Sequence, residues 1–342
     1  MKHTFLALGA GILSGVLSLA AQSSASFAVV YLVLLLPLPM LMVGLSLGTR
    51  PAAIAVATAT VIVGSVDQVA GMMFALVHAL PIWLVVRLAL TGPTGPVANI
   101  PERTGEQSPE GRETSSTFGD RILGRVKDWE GETDLPPRDE GWLPAGRLIA
   151  VITVMAAVGI LIAALSSAGS FEETVREHLI NAFDEIGGKQ DQDVLKDAAV
   201  MFAALFPGAV AGMWAILLVF DTVIAQALLA RGGRNIRPSP RLRELTLPDW
   251  LSWVLIVAAV AALMGPGDVG YTGRNLAMVL AVPFYFLGLA VLHKMASLVT
   301  FSGMLMAMFY VAMFTGWFIL VVAGLGLLEQ WVGLKKRLSP PA

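Results

Sequence analysis

The apolar residues of this chain arrive in long unbroken blocks, and this blocking constrains the fold more than any single motif does. Lipid offers backbone N–H and C=O groups no partner, so a segment crossing it must satisfy its own, as a helix does. A run of about 20 residues, rising about 1.5 Å per residue, matches a ~30 Å hydrocarbon core. Such runs predict spans over 5–21, 27–47, 51–66, 70–90, 148–168, 198–230, 250–264, 276–292 and 301–328. The expectation is an all-α, polytopic transmembrane helical bundle of about eight or nine spans. Composition agrees: 56% of the 342 residues are hydrophobic and 14% charged, too few charges to clothe a soluble domain.

The runs divide the chain into an N-terminal membrane region of four spans (1–90), a polar connection (91–146) and a C-terminal membrane region of about five spans (147–342). Lys2 ahead of the first run, and small residues after it, imitate a secretory signal peptide. Gly9, Gly11 and Gly15 and the spans that follow favour a retained, packed helix. The connection carries seven prolines with many Glu, Ser and Gly, a composition that predicts disorder. Within it Phe118, Ile122, Val126 and Trp129 make one face of a short amphipathic helix. That helix suits the inner leaflet or a docking partner, or forms only transiently. Residues 170–197 are acidic. Ser170 with Glu173 makes a capping box, Phe171, Val175, Leu179, Phe183 and Ile186 form a stripe, and Gly187-Gly188 ends the helix. An interfacial helix covering the bundle is expected there. The run 198–230 is too long for one straight span, so it either tilts and projects or breaks at Pro207-Gly208.

Orientation follows from lysine and arginine. Lys2, Arg50, Arg87, Lys294 and the cluster Arg231, Arg234, Arg237, Arg241 and Arg243 place the N-terminus and these segments in the cytoplasm. Nine spans put Lys335, Lys336 and Arg337 on the other side; one re-entrant segment brings them back.

Net charge of −2 gives no basic field for nucleic acid. Cysteine is absent and the histidines are His3, His78, His178 and His293, which leaves little for a metal site; no cofactor is expected. No phosphate loop, HExxH or nucleophile elbow occurs, and the chain reads as non-enzymatic, with no catalytic residue assigned. Gly265-Pro266-Gly267-Asp268 fits the GxGD pattern of intramembrane aspartyl proteases, with Asp221 as its partner. The two carboxylates fall at different depths and cannot share a proton, so the motif reads as an outer turn.

Small residues spaced four apart let helices approach closely: Ala7, Gly11 and Gly15; Gly44 and Gly48; Gly208 and Gly212. They read as bundle packing, or for the first set as a face docking another membrane subunit. Ionisable groups within the membrane are expensive unless paired or used. Asp67 near the outer surface, His78 in the fourth span, and Tyr271 and Asn275 at the outer loop entering the eighth are candidates for a ligand or proton site. Each equally suits an internal hydrogen bond. Asp221 reads as a group near the inner end beside Arg231, and Trp250 and Trp253 as interface anchors.

The C-terminal third carries the sharpest motifs: Leu247-Pro248-Asp249-Trp250, Asn275-Leu276, the stretch Phe284 to Val291 with His293, and Gly326-Leu327-Leu328-Glu329-Gln330-Trp331 before Lys335. With Leu205-Phe206-Pro207 opening the sixth run, this order resembles the YybS-like family of uncharacterised bacterial membrane proteins. Gly288 stands where that family often has Gln, Glu329 where Asp is common, and the 91–146 insert looks peculiar to this branch of it. The family is distantly similar to the S components of energy-coupling-factor transporters and to the rod-shape protein MreD. The resemblance implies a bacterial inner-membrane location and a compact fold with a ligand pocket toward the outer face. Two functions follow. One is a subunit that binds or moves an unidentified small molecule, in contact with the bilayer and other membrane subunits. The other is a structural scaffold of an envelope or division complex.

Overall fold

The computed structural model of the chain describes residues 2–22, 35–92, 141–187, 192–298, 301–313 and 316–337. Apart from its two ends, the 91–146 connection, including the Phe118–Trp129 face, lies outside the described residues. In chain order the first helices are α1 (Lys2–Gln22), α2 (Leu38–Leu47), α3 (Thr49–Val66), α4 (Gln68–Ala89) and α5 (Ala145–Ser166). Then come α6 (Phe171–Gly187), α7 (Gln192–Ala203), α8 (Phe206–Arg231), α9 (Trp250–Met264) and α10 (Asp268–Leu280). The last are α11 (Val282–Ala296), α12 (Ser302–Met313), α13 (Trp317–Val332) and α14 (Leu334–Arg337).

The chain is a polytopic helical bundle. Among the described residues, six segments are long and apolar enough to cross a membrane: α1, α3, α4, α5, α8 and the continuous pair α10–α11. Helices α2 and α9 are apolar but shorter, and the run 301–328 divides into α12 and α13, bent by 118°. The long sixth run also divides. Helix α7 ends at Ala203 and α8 starts at Phe206, with Pro207 in its first turn, where a missing N–H costs nothing. Apolar side chains such as Phe5, Met72, Leu165, Trp253 and Leu263 point outward, where the bilayer covers them.

Small residues set the tightest contacts. A Cβ on Gly11 would meet the Ala55 carbonyl oxygen at 2.4 Å, and one on Gly15 would meet Ile62 at 3.0 Å. Helices α1 and α3 are therefore parallel, and Ala7, Gly11 and Gly15 face α3 within the chain. The Ser14 hydroxyl, buried on the same face, donates to the Leu36 carbonyl at 2.9 Å. Gly44 sits under Val86, and Gly208 lies against the Asn275 backbone. Gly48 departs from the expectation of packing. It has open space around it and a φ of +105°, so it turns the chain from α2 into α3. Helix α8 holds the centre, packing on α2, α5 and α10.

The parallel α1–α3 pair, the α3–α4 return and the loop contacts put Lys2, Arg50, Arg87 and the Arg231–Arg243 loop at one end of the bundle. Buried Arg237 fastens that end. Its guanidinium donates to the carbonyls of Ala89 at 3.3 Å and Leu143 at 2.7 Å. Gln226 and Asn235 in turn donate to the Arg237 carbonyl, at 2.6 and 2.7 Å. The Lys335 ammonium donates to Leu245 at 2.5 Å, and Gln330 donates to Leu247 and Asp249, so the C-terminal basic segment joins the same end.

At the opposite end, the N-cap half of the capping box forms: the Glu173 N–H donates to the Ser170 hydroxyl at 3.4 Å, while the Glu173 carboxylate pairs with Arg176. The helix expected after Ser170 is α6, which ends at Gly187 as the glycines predict; α7 then packs back on it, with Leu179 against Ala199 and Ala203. Phe171 is buried edge-on against the Tyr271 ring, with centroids 5.3 Å apart.

Candidate functional site

Pro81 shapes the most unusual stretch of any spanning helix here. A proline lacks the N–H that the carbonyl four residues earlier would accept in an α-helix, and its ring crowds that carbonyl. Just ahead of it α4 widens into a π turn over Ala75–Ala79, a form that recurs at functional sites. His78 lies on this turn, about ten residues or ~15 Å from either end of α4, and so near the middle of the membrane.

Facing it is α8. Trp214, Leu218 and Asp221 share one face of that helix by their spacing. With Pro37, His78 and Ile82 they line a partly open cavity of about 50 Å³ between the start of α2, the π turn of α4 and the middle of α8. Asp221 is buried and His78 half-buried. Among the described residues, no hydrogen bond or ion pair engages the Asp221 carboxylate, and none engages the His78 imidazole. The Phe74 ring lies 5.4 Å from the imidazole, tilted. About ten residues, or ~15 Å of helix, separate the buried Asp221 from Arg231.

The residues expected at an outer pocket are employed otherwise. Asp67 is exposed and accepts the Val69 N–H at 2.9 Å, capping α4. The Tyr271 hydroxyl donates to the Ala203 carbonyl at 2.6 Å, pinning the end of α7 to α10. Asn275 is fully buried. It accepts the Gly208 N–H at 2.7 Å and donates to the Tyr271 carbonyl at 2.9 Å and the Ala204 carbonyl at 3.3 Å. These bonds serve the α7–α8 break, where the helix ends leave groups unpaired. Asp268 of the GxGD pattern accepts from the Ser170 hydroxyl at 2.7 Å and from the Glu172 N–H, so it caps α6 at the outer end. Asp221 lies deep in the bundle, and the two carboxylates form no dyad.

Of the groups found here, Asp221 and His78 were visible in sequence as membrane-embedded ionisable residues; their meeting was not. Neither Arg237 nor the close crossing of α11 and α13 was separable from surrounding residues of like type. A Cβ on Gly326 would lie 1.8 Å from the Phe284 carbonyl oxygen, and one on Gly288 would lie 2.0 Å from that of Val322. The glycine standing where the YybS-like pattern often has Gln thus admits the backbone of α13.

A family model described as a predicted membrane protein, DUF2232, matches residues 143–329, over half of the chain. The chain belongs to the DUF2232 family. No curated protein and no solved structure matches it. The DUF2232 region contributes Asp221 and the α8 wall of the cavity, while His78 comes from the N-terminal region ahead of it.

Proposed function

We propose that this DUF2232 protein is a non-enzymatic subunit of the bacterial inner membrane that binds or moves a small species through its helical bundle. Its N-terminus and arginine-bearing end lie in the cytoplasm. The observation that supports the reading is the His78–Asp221 cavity. Two ionisable side chains in mid-membrane are costly, and such groups usually mark a binding site or an ion pathway. The family likeness to YybS-like proteins, and through them to S components, is compatible with it. The S-component likeness led to an organic ligand near the outer face; the cavity is deeper and far smaller than the 300–1,000 Å³, roughly, of organic-ligand sites.

A scaffold of an envelope or division complex is the second reading, favoured by the dense packing of α1 on α3 and α11 on α13. Complementation of a deletion strain separates the two. If the first holds, Asp221→Asn and His78→Gln fail to complement while accumulating and melting like the wild type. If the second holds, both complement fully, and the full chain co-purifies in mild detergent with an envelope protein at fixed stoichiometry.

A further inference from the structure

The volume of the cavity limits its occupant. One water needs roughly 10–15 Å³ of probe space and two to four polar partners, so about 50 Å³ admits a few waters and no sizeable organic ligand. Among the described residues, the ionisable side chains facing it are one imidazole and one carboxylate, the rest of the wall being apolar or aromatic. Sodium, calcium or magnesium would need about six oxygen ligands, and the side chains here supply one carboxylate.

The electrostatic surroundings isolate the pair. Among the helices packed on α8, α2 carries no ionisable side chain and α5 carries only Arg147, at its far end. Helix α10 carries Asp268, Tyr271 and Arg274 toward the outer end; α11 carries Tyr285, His293 and Lys294; the described part of α7 carries Lys196 and Asp197. On α4 the other ionisable group is Arg87, in its last turn. None of these lines the cavity.

We propose that His78 and Asp221 form a proton-binding site, in which cavity water bridges the imidazole and the carboxylate and the pair takes up and releases one proton. This rests on the cavity being the functional site, and it names the proton as the small species. The balance is simple: without the proton the pair is carboxylate and neutral imidazole; with it, the pair is either carboxylic acid and imidazole or carboxylate and imidazolium. The π turn ahead of Pro81 sets the imidazole off the regular helical register, toward α8.

Infrared difference spectra of the full chain in phosphatidylcholine–phosphatidylglycerol vesicles, recorded across pH, test this directly. Wild type should show one protonation step that Asp221→Asn removes and that His78→Gln moves by at least tenfold in proton affinity. Asp221→Glu, the conservative variant, should retain the step should the asparagine variant fold poorly. Sodium added at fixed pH should leave the spectrum unchanged. A wild-type spectrum with no step attributable to Asp221, or a step that sodium displaces, overturns the proposal. Loss of complementation by Asp221→Asn together with a silent wild-type spectrum would sink the proton alone and leave the small-species reading standing. Full complementation together with the titrating step would do the reverse.

Discussion

A Cβ atom on Gly326 would lie 1.8 Å from the carbonyl oxygen of Phe284, so the backbone of α13 rests directly on that of α11. Such contact brings dispersion and weak Cα–H···O bonds to bear where lipid gives no hydrophobic drive between helices. Gly326→Ala must push the helices apart, and overpacking of this kind costs about 1–3 kcal/mol. Gly324, two residues away, meets nothing within 4 Å. Gly324→Ala should therefore be neutral or stabilise by up to ~1 kcal/mol through helix propensity. Thermal melts in detergent compare the two; equal shifts would refute the close crossing.

Arg237 should behave as a structural cation. Its two carbonyl acceptors, Ala89 and Leu143, belong to the end of α4 and the approach to α5. Hydrogen bonds from charged groups contribute roughly 1.5–3 kcal/mol each, so Arg237→Met should lose at least that much. Arg234, exposed in the same loop, offers the control: Arg234→Met should stay within about 0.5 kcal/mol of wild type. Similar losses from both would show that the loop needs only its positive charge.

The Lys335–Glu329 pair carries a pH dependence of definite sign. Burial lowers the proton affinity of the Lys335 ammonium from its ordinary value, and nearby Glu329 opposes the shift without cancelling it. A depressed lysine means that the unfolded chain binds more protons in the interval below the ordinary lysine value of about 10.4, so stability contributed by this group rises with pH there. Lys335→Met should abolish that rise in pH-dependent melts, and should destabilise at neutral pH by leaving Glu329 buried without its cation. Adding Glu329→Gln to Lys335→Met should recover part of the loss. A double variant no better than the single one contradicts the pairing.

Topology can be checked in a chain that contains no cysteine. Arg234→Cys and Arg337→Cys should both resist an impermeant thiol reagent in cells with a permeable outer membrane, and react after lysis. Glu177→Cys, exposed on α6 at the opposite end, should react in intact cells. Labelling of one of the first two without the other would break the shared end built by Lys335 and Leu245.

The apolar blocks by themselves determined that this chain is a polytopic helical bundle, because each run must close its own hydrogen bonds in lipid. They also located the helix-ending features, since Pro207, the Ser170–Glu173 box and Gly187 act on their own neighbours. What depends on distant partners was decided only by tertiary structure. Gln330 meets Asp249, Ser170 meets Asp268, and Lys335 meets Leu245 across 81 to 98 residues of sequence. The last of these returns the basic tail to the arginine-bearing end of the bundle. The same holds for the site. Asp67, Tyr271 and Asn275 looked as promising as His78, for a hydrogen-bonding side chain is identical in sequence whether a helix end satisfies it or nothing does. A local cap satisfied Asp67, and packing of α10 on α7 and α8 satisfied Tyr271 and Asn275, while His78 and Asp221 were left lining one small cavity.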